Sequence, residues 1–140
     1  MYKTTVIFSI ALFAAFAAAC VSGAGTFGSG KTIKSGPVGN LTVTIANPDG
    51  VLKKGKQDLT ITFADSSGKP VDVGSASVNF FMPAMGTMSA MNNPATLTTT
   101  GTPGVYKANV DIEMTGEWQA QVAFDGPAGK GKGSIAITAQ

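Results

Sequence analysis

The stretch "VYKANVDIEMTGEWQAQVAFD", residues 105–125, decides the fold. In its first half Tyr106, Ala108, Val110, Ile112 and Met114 recur at every second position, separated by Lys107, Asn109, Asp111 and Glu113. In its second half Trp118, Ala120, Val122 and Phe124 keep the same spacing. A strand sends successive side chains to opposite faces, so this period of two predicts strands with one buried face. Thr115 and Gly116 lie between the halves and predict a turn there.

The same alternation extends to both sides. "LTVTIAN" (residues 41–47) aligns Leu41, Val43 and Ile45, and "LTITFAD" (residues 59–65) aligns Leu59, Ile61 and Phe63. "SASVNFFM" (residues 75–82) aligns Ala76, Val78 and Phe80, and "SIAIT" (residues 134–138) aligns Ile135 and Ile137. The joints read "NPDG", "DSSGKP", "GTPG" and "DGPAGKGKG", built from residues that reach turn geometry at low cost. No stretch after residue 40 has a helical period. Together these signals predict an all-β fold, an immunoglobulin-like antiparallel β-sandwich of about seven strands over residues 41–140. A single domain of this size buries a core without disulfides.

The opening "MYKTTVIFSIALFAAFAAAC" has another character. Lys3 precedes a run that is apolar from Val6 to Ala19 apart from Ser9. That layout predicts a secretory signal peptide over residues 1–19, and the run is short for a spanning helix, which needs roughly 20 apolar residues. Ala17, Ala18 and Ala19 before Cys20 resemble a bacterial lipobox, which implies cleavage before Cys20 and its lipidation. Ordinary Ala-x-Ala cleavage is the other reading. Both predict export, and the first predicts a membrane-anchored lipoprotein facing the periplasm or the outside. Residues 20–40 are rich in Gly and Ser and predict a flexible linker, the tether of the anchored domain.

Composition narrows the functions. The ten cations are all lysines, scattered except for the adjacent Lys53 and Lys54. No basic stripe with arginine and aromatic residues exists, which argues against nucleic acid as a partner. Histidine is absent and Cys20 is the only cysteine, so the commonest general base and the Cys-based zinc sites are both missing. Glu113 and Glu117 flank a turn, as many solvated carboxylates do. "GSGK" at residues 28–31 lacks the spacing of a phosphate loop. The expectation is a binding domain, not an enzyme.

The candidate site is "FMPAMGTMSAM", residues 81–91, where Met82, Met85, Met88 and Met91 recur every third residue. Pro83 cannot donate to a ladder, so strand pairing is expected to stop at Met82 and a loop to run to about Pro94. Thioether sulfur is soft and selects Cu(I) over hard divalent ions. Three or four converging thioethers would make a Cu(I) or Ag(I) site. The other reading is packing, because methionine fills irregular gaps at a sandwich end. A third is a metal-free interaction module that grips an envelope protein through its Met-rich end. Met114 reads as core, and Trp118 as a core anchor or, more speculatively, a cation–π lid over the ion.

Four motifs in order give a family resemblance: "GKPV" at residues 68–71, "MPAM" at residues 82–85, "GVY" at residues 104–106 and "MTGEW" at residues 114–118. Over about residues 41–140 the chain resembles the YtkA-like domain, related to the FixH-like domain. The resemblance implies an exported or membrane-anchored immunoglobulin-like sandwich that accompanies copper handling or oxidase assembly. Relatives often carry a histidine among the methionines. Thr87 and Ser89 stand in that neighbourhood here, which leaves Cu(I) through sulfur as the metal option.

Overall fold

The structure, a computed structural model, describes residues 30–140. The signal segment over residues 1–19, Cys20 and the linker up to residue 29 lie outside the described residues. Nine strands follow in order: β1 (Lys31–Val38), β2 (Leu41–Asn47), β3 (Gly55–Ala64), β4 (Ser75–Met82), β5 (Met91–Pro94), β6 (Thr96–Thr99), β7 (Val105–Ile112), β8 (Gly116–Gly126) and β9 (Gly129–Ala139). They form two sheets, one ordered β1-β2-β3-β7-β6 and the other β5-β4-β8-β9. Every neighbouring pair is antiparallel. No helix occurs among the described residues. The all-β sandwich therefore holds.

The alternating rows face each other across one core. Leu59, Ile61 and Phe63 of β3, Val78 and Phe80 of β4, Tyr106 and Val110 of β7, and Trp118, Val122 and Phe124 of β8 are all buried. Phe63 lies where β3 ends and β7 begins, toward one end of the sandwich. Its ring meets Tyr106 at 5.7 Å and Phe124 at 5.9 Å, both edge-on, so it joins the two sheets in a favourable aromatic geometry. The Tyr106 hydroxyl donates to the Gly74 carbonyl at 3.1 Å and ties β7 to the connection before β4. Burial raises the pKa of that hydroxyl above its ordinary value, with the Asp72 carboxylate adding to the effect.

Two expectations are corrected. The Gly/Ser-rich stretch up to residue 40 is not all linker, because residues 31–38 form β1. A bulge between Thr32 and Lys34 breaks the register, so no clean period of two appears in the sequence. Backbone pairing to β2 holds this strand, and as an edge strand it tolerates Gly36 and Pro37. The second correction concerns residues 91–99, which form two short edge strands, β5 and β6, one in each sheet. The chain changes sheet at Ala95, whose N–H donates to the Val78 carbonyl at 2.9 Å. Four-residue polar strands are too short for an alternation signal. With β1 they add three strands to the six alternating stretches, giving nine where about seven were expected.

The methionine hairpin as candidate functional site

The stretch from Met82 to Pro94 is the end of a hairpin and not an irregular loop. β4 pairs with β5 as Asn79↔Pro94, Phe80↔Asn93, Phe81↔Asn92 and Met82↔Met91. The ladder lapses beyond Met82, as Pro83 requires, and then resumes as a bridge between Met85 and Met88. The two residues exchange both backbone bonds, Met85 N–H to the Met88 carbonyl at 3.1 Å and Met88 N–H to the Met85 carbonyl at 2.9 Å. Gly86 has a φ of 57°, and among the described residues none other than glycine has a positive φ. Glycine alone at the first central position of a two-residue loop is the signature of a type II′ turn, whose twist matches the flanking strands. The third-residue spacing of the methionines thus reflects a folded-back ribbon.

This register divides the four sulfurs. Met82 and Met91 are opposite each other and share the inward face. Met82 is 1% exposed and belongs to the core, and Met91 is half-buried against it. Met85 and Met88 lie an odd number of residues further out, so alternation turns them to the other face. Among the described residues they are the large apolar ones left exposed, at 55% and 40%. A directly opposed, doubly bonded pair has Cα atoms about 5.5 Å apart, close enough for two thioethers to reach one point. Of the four methionines, the tip thus sets Met85 and Met88 opposite each other on the outward face, with Met82 and Met91 on the inward one.

The base of the hairpin is held on several sides. On the outer face the Asn79 amide donates to Asn92 and to Gln121, each at 3.1 Å, linking β5, β4 and β8. On the inner side the Asn93 amide donates to the Asp111 carbonyl of β7, a bond between the two sheets. The MTGEW turn supports the same end. Its indole N–H, from Trp118, donates to the Met114 carbonyl at 3.0 Å. At Gly116, with a φ of 130°, a Cβ would meet the ε-methyl of Met82 at 3.3 Å. Glycine here admits both the backbone angle and the methionine side chain. Trp118 is 1% exposed, which makes it a core anchor and excludes the lid role. Met114 is partly buried against the core, as expected.

Other chemistry is sparse. Glu113 and Glu117 are exposed. Among the described residues no group of three His, Cys, Asp or Glu side chains could hold a metal. A cleft of about 480 Å³ lies at the foot of the hairpin beside Pro83, with Lys34 and Glu117 as its charged groups, and none of the methionines lines it. Sequence reasoning missed the tight turn within the site, although the Gly86-Thr87 pair between Met85 and Met88 was its signal.

The division of the methionines has a measurable consequence for stability. Met82→Ala is expected to cost about 2–5 kcal/mol, the range for emptying a core site. Met85→Ala and Met88→Ala are expected to stay within about 0.5 kcal/mol, as surface changes do. Urea unfolding of the three variants checks this, and a large loss at Met85 would place that side chain in the core.

A comparison with family models matches residues 37–123 to the YtkA-like family. The match takes in β2, β3, β4, the whole hairpin, β7 and most of β8. No curated protein matches the chain. With the motif order, the sandwich and more than half of the chain in agreement, the protein belongs to the YtkA-like family.

Proposed function

We propose that this domain is an exported, lipid-anchored binding module of the bacterial cell envelope, without catalytic activity, that takes Cu(I) on Met85 and Met88 for copper handling or oxidase assembly. One observation carries the reading: two thioethers stand directly opposite each other on the exposed side of a tight turn. Large apolar side chains left exposed together at a tip call for a ligand or a partner. Thioethers favour a soft monovalent ion, and the chain has no histidine to favour Cu(II) or zinc. A neutral donor pair on a fixed hairpin binds and releases such an ion without a proton being exchanged.

Silver(I), a redox-inert stand-in for Cu(I), provides the test. Titration of the full chain is expected to give Ag(I) uptake with no competition from Zn²⁺. Met85→Leu or Met88→Leu is expected to weaken it about tenfold or more, a change of ~1.4 kcal/mol or above. Met82→Leu is expected to leave it unchanged. Equal loss in all three variants would contradict the two-ligand site.

The metal-free reading also has an observation behind it. No charged residue occurs between Asp72 and Lys107, so the whole hairpin is uncharged. Such a Met-bearing surface suits docking on an envelope protein. Absence of Ag(I) uptake would favour it. Anchoring rests on the Ala-Ala-Ala-Cys junction and has its own test. Cys20 of the native protein is expected to carry acyl mass, and Cys20→Ser to release the protein from membranes. An unmodified Cys20 on a soluble protein would end that part of the proposal.

A further inference from the structure

We infer that the bound ion is shared by two copies of this chain, each giving Met85 and Met88. The inference rests on the Cu(I) reading above and follows from what the fold withholds. Two thioethers leave a soft ion short of donors, and water is a poor, hard substitute. The chain's other described sulfurs are committed elsewhere. Met82 is sealed in the core with its ε-methyl against Gly116, Met91 faces the same inward side, and Met114 packs against the core. Thr87 and Ser89, the hydroxyls beside the pair, are hard oxygen donors. The domain cannot complete the coordination sphere without unpacking itself.

A second hairpin tip completes it without rearrangement. The Met85–Met88 pair is self-complementary about a two-fold axis through the ion, the arrangement of an isologous contact. Four thioethers would then surround one ion. The flanking residues are Ala84, Gly86, Thr87 and Ser89, so nothing larger than threonine stands beside the pair. A Cβ placed on Gly86 would meet nothing within 4 Å. Both tips are uncharged, so their approach meets no like-charge repulsion at the contact. Two turns cover far less than the roughly 1,200–2,000 Å² of a stable interface, so the contact should last only while the ion bridges it. The outcome is a metal-dependent, reversible dimer.

The test is sedimentation of the full chain in density-matched detergent, at less than one chain per micelle, with Ag(I) added stepwise. The protein mass is expected to double, to saturate at one ion per two chains and to return to that of the monomer when cyanide removes the metal. Met85→Leu and Met88→Leu are each expected to abolish the doubling, whereas Met82→Leu keeps it. A monomer holding one ion per chain would overturn the inference while leaving the Cu(I) reading in place. A dimer without metal, or one that survives both tip substitutions, would overturn it as well. Failure to take up any ion would remove both.

Discussion

The register of the β4–β5 hairpin is the constraint on which the candidate site depends. Asn79↔Pro94, Met82↔Met91 and Met85↔Met88 keep one register, although the ladder lapses at Pro83 and Ala84. A slip of one residue would reverse the faces, expose Met82 and turn the tip methionines inward. Three features oppose that slip. Gly86 makes the tight turn, Met82 and Phe80 are held in the core, and Asn93 is bonded across to β7. The site is thus an extension of the core pattern and not an independent loop.

The sandwich beneath supplies a rigid platform. Phe63, Tyr106 and Phe124 join the sheets toward the end away from the hairpin, and Trp118 fills the core on the strand that starts behind the hairpin. The MTGEW turn does two tasks at one place. Trp118 locks the turn through the Met114 carbonyl, and Gly116 leaves space for the Met82 methyl. The MTGEW and MPAM stretches thereby meet in space, one as the seat and the other as the root of the tip. A hairpin so rooted holds its two exposed thioethers in a fixed relation, which lowers the entropy lost when both engage one ligand.

Much of this was legible in the sequence, and the losses have physical causes. Strands with a buried and a solvated face wrote themselves as alternation, so β2, β3, β4, β7, β8 and β9 could be read directly. Three of the four edge strands, β1, β5 and β6, lack that signature because backbone pairing more than apolar burial holds them, whereas the edge strand β9 buries Ile135 and Ile137. Hence β1 looked like linker, with its bulge at Thr32 and Lys34, β5 looked like loop, and β6 was given no strand. Pro83 correctly marked the end of regular pairing but concealed its return at Met85. The methionine spacing suggested four equivalent sulfurs. Only the pairing partner of each one separates them, and pairing is a long-range property that local spacing does not carry.

The division of the methionines into an inner and an outer pair is the central claim, and oxidation measures it most directly. Exposed thioethers are open to conversion to sulfoxide, whereas a thioether sealed in the core waits for unfolding. The native chain can be treated with dilute hydrogen peroxide, quenched at intervals and mapped by peptide mass. Met85 and Met88 are predicted to oxidise first and together, Met91 more slowly and Met82 last. Met82 oxidising as fast as Met85, or Met85 and Met88 protected as strongly as Met82, would contradict the register and the site built on it.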